Sequence, residues 1–346
     1  MTSSDSFLLL AAIAGLLLLR ASSLSASTVN PWLPFRNLSG CRRGDDKPGL
    51  AGLKHYLKRF GYLPTSSVNS TDSFDDALEV AIRSYQRFFG LNATGEIDEP
   101  TVDRLMSPRC GVADFVNGSS AFPGRNLYTY FPDAPTWPFW RRNLRYAITA
   151  TSDVPIDRAV LEAVFARAFG RWSDATTLTF EETDSAADAD ITIGFYRGAH
   201  GDGEPFDGVL GTLGHAFSPT DGRLHLDAAE AWVAEGDMTK ASSDVAVDLE
   251  SVAVHEIGHL LGLGHSAAAD AIMYPAIKTR ARKVELTTDD VEGIQSLYGS
   301  NPNYRGAMPS APSTSSPETN GGAPARRLRD GLALTVIAVG LSLPLR

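Results

Sequence analysis

The run His255-Glu256-Ile257-Gly258-His259-Leu260-Leu261-Gly262-Leu263-Gly264-His265 decides how the rest of the chain is read. On a helix, His255 and His259 are four residues apart and project from one face, spaced to bind a single metal ion. The preceding segment, residues 248–254, supplies Asp248 as an N-cap and apolar positions compatible with a helix. Gly262 lets the chain leave that helix in a backbone conformation other residues resist, which returns His265 to the same ion. Three neutral imidazoles leave zinc one open position for water, the arrangement of a catalytic rather than a structural site. Glu256 adjoins a ligand without being one. It is therefore placed to take the water's proton and deliver it to a leaving amine, while zinc polarises the carbonyl. The chemistry predicted is peptide-bond hydrolysis.

Downstream, Ser266 follows the third histidine, and Ile272-Met273-Tyr274-Pro275 begins six residues further on. With these additions the segment resembles the metzincin peptidases and, within them, the matrixins or matrix metalloproteinases. The resemblance covers roughly residues 48–299 and implies an α+β fold: a twisted mixed sheet with an active-site helix, preceded by a small helical pro-domain. It makes Met273 the Met-turn residue beneath the zinc. A second cluster, His200, Asp202, His215 and His225, offers nitrogen and oxygen ligands for a closed tetrahedral site, hence a structural zinc. By the same resemblance Asp207, Asp227 and Glu230 are calcium-binding carboxylates, and hard oxygen ligands are what calcium prefers. Arg223 stands where an acidic calcium ligand is often found, which argues against a further calcium there. Residues 144–149, 178–182 and 189–196 read as strands, and 155–172 as an amphipathic helix. Residues 210–217 read as an edge strand above the zinc, against which an extended substrate would pair antiparallel. The specificity pocket would lie between the active-site helix and residues 275–284. Thr287 or Thr288 caps a final helix whose Asp289-Asp290 compensate its dipole. In matrixins the second such aspartate also binds the N-terminal ammonium created by pro-domain removal, which makes Asp290 a candidate for that role.

Upstream, residues 48–106 carry helical spacing: Leu50, Leu53, Tyr56, Leu57 and Phe60 before Gly61, then Leu78, Ile82, Tyr85, Gln86 and Phe89 before Gly90, then a short helix around Val102 and Leu105. This resembles the peptidoglycan-binding-like module that serves as the matrixin pro-domain. Pro108-Arg109-Cys110-Gly111-Val112-Ala113-Asp114 follows at once and resembles the cysteine switch of that family, with Ala113 where proline is usual. The resemblance implies that the Cys110 thiolate occupies the fourth zinc position and keeps a zymogen silent. A Cys41–Cys110 disulfide is the other reading of the two cysteines. A cell-surface glycan-binding or adhesion protein with a vestigial zinc site is the other reading of the whole chain, disfavoured by the intact Glu256.

The remaining sequence sets the context. At 346 residues and 43% apolar content the chain can hold two cores. Residues 124–300 contain 27 acidic and 14 basic residues, a formal charge of −13, which excludes a nucleic-acid partner. Residues 1–26 read as a signal peptide, or as a retained anchor. Residues 27–123 form the pro-domain and 124–300 the catalytic domain. Residues 301–320 are a Pro/Ser-rich stalk, too short a tail for a hemopexin-like propeller. Residues 321–346 read as a removed GPI-attachment signal with Asn320 as its site, or as a transmembrane tail. The chain would thus be held at the outer surface of the membrane, acting on extracellular or cell-surface proteins. Asn37, Asn69, Asn92 and Asn117 are glycosylation candidates. No dibasic site lies between Cys110 and Tyr130, so activation falls to another protease or to self-cleavage.

Overall fold

The computed structural model describes residues 30–66, 71–115 and 127–306. The signal segment, Asn69, Asn117, residues 307–320 of the stalk with Asn320, and the C-terminal tail lie outside the described residues. Asn37 and Asn92 are exposed.

The first layer is helical. A 3-10 turn, Leu33–Leu38, precedes α1 (Leu50–Arg59), α2 (Asp76–Phe88) and α3 (Glu99–Leu105). Asp75 and Asp98 cap α2 and α3 by accepting from Leu78 and Thr101 N–H, and each capped helix turns an apolar face inward. Leu50, Leu53, Leu57, Ile82, Tyr85, Val102 and Leu105 are buried together, and the core extends back to Trp32, Phe35 and Leu38. Tyr274 and Ala276, from beyond the Met-turn, belong to this same core, so the helical layer is packed onto the active-site cleft.

The second layer is the α+β domain expected from the sequence. Its strands β1 (Tyr128–Tyr130), β2 (Asn143–Ala150), β3 (Thr179–Glu182), β4 (Ile191–Tyr196), β5 (Gly214–Ala216) and β6 (Arg223–Asp227) are followed by β7 (Ala231–Val233), β8 (Ala246–Asp248) and β9 (Leu263–Ser266). Five of them form a mixed sheet in the order β3-β2-β4-β6-β5, parallel except for the antiparallel edge strand β5. Helix α4 (Arg158–Ala175) packs on α5 (Leu249–Leu260), and Trp172 Nε1–H donates to Val254 O at 2.9 Å between them. The final helix is α6 (Thr288–Tyr298). The edge strand is shorter than the eight residues expected. Just before it, Gly211 O and Leu213 N–H bond Arg109 of the pro-segment, and Thr212 N–H bonds the Asp207 carboxylate.

Candidate active site and metal centres

Asp248 caps α5 by accepting from Ser251 N–H at 2.7 Å, and every residue of this helix is buried. Gly262 adopts φ +103°, where a side chain would also strike Pro135 O; this turn sends the chain into β9 and brings His265 back. Antiparallel pairing of β9 with β1 holds the strand in place. Gly258 faces the sulfur of Met273 with no room for a Cβ, so the Met-turn packs directly under the helix.

The ring orientations carry the chemistry. His255 Nδ1–H donates to Ile272 O at 2.7 Å and His259 Nδ1–H to Leu263 O at 2.8 Å, while His265 Nδ1–H donates to Asp114 Oδ1 at 2.7 Å. With each Nδ1 committed, the three Nε2 lone pairs face one another, and His259 Nε2 lies 3.2 Å from His265 Nε2. Cys110 Sγ completes the group at 3.3 Å from His259 Nε2. All four ligand atoms lie within 4.8 Å of one another, and His255 Nε2 is buried without a hydrogen-bond partner. Burial and the neighbouring rings push His255 and His259 well below the ordinary imidazole range, so the rings are neutral ligands. Converging lone pairs repel unless a cation sits among them. A tetrahedral zinc would space its nitrogen ligands by ~3.3 Å, and the group fits one.

Glu256 turns into the same space. Both carboxylate oxygens are buried without a hydrogen-bond partner, and burial raises the carboxyl to about 8. Phe131 stands edge-on to His259 at 5.7 Å between centroids.

The pro-segment runs through the cleft as an extended chain bonded to both walls. Arg109 N–H donates to Gly211 O, Gly111 N–H to Gly214 O, and Leu213 N–H to Arg109 O; on the other side Cys110 N–H donates to Pro275 O and Ile277 N–H to Pro108 O. Arg109 is parallel to Thr212 and antiparallel to Ala276. Arg109 is buried, pairs with Asp114, and lies 3.6 Å from the Phe60 ring centroid. Tyr62 O–H donates to the other Asp114 oxygen at 2.7 Å. The only sequence signal of Asp114 is a charge four residues after the cysteine, because its partner His265 lies 151 residues away. Cys41 and Cys110 are both free.

The second cluster also converges. Asp202 Oδ2 lies 2.7 Å from His215 Nε2, 2.8 Å from His225 Nδ1 and 2.8 Å from His200 Nε2. Burial pushes His215 down to about 4, and lowers His225 as well. Four such donors with no open position fit a structural zinc. Nearby, Asp227 accepts from Ala229 and Gly208 N–H, Asp207 from Thr212 N–H and Glu230 Oε1 from Leu210 N–H. Glu230 Oε2 is buried without a hydrogen-bond partner. Burial, then the neighbouring carboxylates, raise Glu230 to about 9 and Asp227 to about 6. Such crowding of buried oxygens suits a hard divalent cation. Arg223 is paired with Asp221 at 2.6 Å.

One expectation is corrected. Asp290 is fully buried, and its Oδ2 accepts from Thr287 N–H (2.8 Å), Thr287 O–H (2.7 Å) and Ile272 N–H (2.8 Å), its Oδ1 from Met273 N–H (3.0 Å). Its carboxylate is committed to the α6 cap and the Met-turn, with no face left for an ammonium group. The carboxylate facing the chain that enters β1 is Asp289, which accepts from Leu127 N–H at 3.2 Å and Ser266 O–H at 2.6 Å.

Comparison with known proteins agrees with this geometry. The matrixin family profile matches residues 137–299, and a peptidoglycan binding domain profile matches 47–105. The chain is 50% identical to Metalloendoproteinase 2-MMP of Arabidopsis thaliana over 341 residues, covering 92% of this chain and 89% of that protein. It is 45% identical to Metalloendoproteinase 1 of Glycine max, covering 85% and 97%, and 38% identical to human Neutrophil collagenase, covering 77% and 53%. An α+β domain with a histidine-lined metal centre, a helical layer of the peptidoglycan-binding type and identity of this extent have one reading: the chain belongs to the matrixin family of zinc metalloendopeptidases.

Proposed function

We propose that this zinc endopeptidase is made as a secreted zymogen in which Cys110 closes the active site. Zinc and calcium are the cofactors of the family. His255, His259 and His265 would hold the catalytic zinc, with Cys110 as its fourth ligand in the latent form. The observation that carries the reading is the convergence of three Nδ1-anchored imidazoles, a buried thiol and an unpartnered carboxylate on one point. Bound there, zinc supplies a Lewis acid that polarises the scissile carbonyl and acidifies a neighbouring water. Glu256 takes the proton of that water on a carboxylate oxygen and passes it to the leaving amine nitrogen. The β5 edge aligns an extended substrate antiparallel to itself. The pro-segment runs the other way at Thr212, so it fills the cleft without presenting its peptide bonds in the cleavable sense.

Residues His200, Asp202, His215 and His225 take the structural zinc, and Asp207, Asp227 and Glu230 the calcium. Asp289, rather than Asp290, is the carboxylate available to a new N terminus. The outer-surface setting, with a GPI anchor near Asn320 and activation by another protease or in cis, is supported by the sequence alone. No helix among the described residues is long and apolar enough to cross a membrane.

The direct test is cleavage of a broad fluorogenic peptide library by the activated, tail-less enzyme. Cutting abolished by a zinc chelator and restored by zinc is the expected result; chelator-resistant cutting would overturn the assignment. The calcium reading has its own test. Removing calcium is expected to lower the melting temperature by about 5–10 °C, from ~2.7 kcal/mol of linkage at a hundredfold excess of ligand. Glu230→Gln should lose most of that calcium response. A variant that keeps the full calcium response would remove Glu230 from the site.

A further inference from the structure

Phe139 and Trp140 are 75% and 74% exposed, the most exposed large apolar side chains among the described residues. A single exposed apolar residue is ordinary, but here two neighbours share one turn with ring centroids 4.8 Å apart. The turn is a fixed pedestal. Arg141 N–H donates to Pro138 O at 2.8 Å, and the preceding Trp137 is buried with Nε1–H donating to Leu260 O at 2.8 Å and its backbone N–H to Tyr298 O–H at 3.1 Å. Neither aromatic touches the zinc cluster or the cleft walls described above.

The same edge carries the chain's exit toward its C-terminal segment. Arg142, next in the turn, lies 5.5 Å from the Tyr298 ring at the end of α6. From there Thr177 O–H donates to Tyr298 O, Ser300 bridges Thr176, and Asn301 N–H donates to Ala175 O. Beyond Gly306, residues 307–320 can reach at most about 50 Å, and residues 331–345 are an unbroken run without charge.

We propose that Phe139 and Trp140 dock the catalytic domain on the outer face of the lipid bilayer. Aromatic side chains settle at the headgroup level, where an apolar body meets water. The ring planes stand at 84°, so the pair forms no continuous flat platform. Arg141 is already paired with Asp190 at 2.6 Å and residues 124–300 carry −13, so anionic lipid is not the attraction. Polybasic docking belongs to the negatively charged cytoplasmic leaflet; an aromatic contact suits a zwitterionic surface. Two aromatics bind at millimolar lipid, a concentration that a short tether supplies on the cell and that a vesicle titration supplies without one. The proposal rests on the outer-surface reading for the presence of the membrane, and not on the kind of anchor.

The test uses a form ending at Gly306, which retains both described cores, mixed with phosphatidylcholine vesicles. Co-sedimentation and a blue shift of tryptophan emission are expected for the wild type, with affinity lowered at least about tenfold in the Phe139→Ser/Trp140→Ser variant. Added phosphatidylglycerol should change little, and peptide cleavage by the activated variant reports that it has folded. A wild type that stays in solution at all lipid concentrations, or a double variant that binds equally, would overturn the proposal. So would aromatic-dependent dimerisation without lipid, or retention on polysaccharide, since either names another occupant. Release of the full chain from cells by phosphatidylinositol-specific phospholipase C tests the anchor separately, and its failure would leave the vesicle result standing.

Discussion

Glu256→Gln is expected to leave zinc content unchanged and to lower kcat by about 10²–10⁴-fold, the range for loss of a positioned general acid–base. The variant keeps shape and removes only the ability to accept a proton. Glu256 is not among the converging ligand atoms, so the metal has no reason to leave. Its two oxygens are buried with the Cys110 thiol as their polar neighbour, and burial raises its carboxyl to about 8. A carboxylate beside the metal ligands, and not itself one of them, can both take and return a proton. The same isolation predicts the stability effect. An unpartnered buried carboxyl costs the fold something, so the melting temperature should stay level or rise in the variant. Metal analysis, a melt and the split between kcat and KM on one peptide check all three. Undiminished kcat with full zinc would take the general-base role away from Glu256.

What was legible beforehand followed the range of the interactions. His255, Glu256 and His259 sit within one helical turn and a half, and Gly262 announces the reversal that brings in His265, so local spacing alone brings these candidate residues together. The helical layer was legible because its apolar period is strong, although its extension to Trp32 and Phe35 lay in a 3-10 turn with no period to read. The Asp290 error is of another kind. Two adjacent acids open one helix, and a rotation of about 100° between them decides which meets the Met-turn and which meets β1. Glu250 is buried against Arg167 at 2.7 Å, Arg171 at 2.9 Å and Arg282 at 2.6 Å. Those partners come from α4 and from the loop after the Met-turn. Nothing in the local pattern reports that convergence.

The proposed latency lock meets the candidate metal centre at two points, Cys110 and Asp114, which can be separated. Cys110→Ala in the intact chain is expected to raise basal, chelator-sensitive peptide cleavage about tenfold or more, equivalent to losing at least ~1.4 kcal/mol of closure. Activity should remain below that of the processed enzyme, because the pro-segment stays hydrogen-bonded to residues 211–214 on one side and to Pro275 and Ile277 on the other. Asp114→Asn attacks the second contact. The carboxylate accepts from His265 Nδ1–H, pairs with buried Arg109 and receives the Tyr62 hydroxyl, so its loss leaves a guanidinium buried beside Phe60 without its counter-charge. That variant should also leak, with Cys110 still present, and the two substitutions should be non-additive because both act on one strand segment. Initial rates must be read while the chain is intact by mass, so that self-processing is not mistaken for opening. Rates for Cys110→Ala equal to those of wild type would remove the thiol from the lock. A leak in Asp114→Asn alone would then place latency in the Arg109–Asp114–His265 link, and silence in both would assign it to the backbone pairing of the pro-segment.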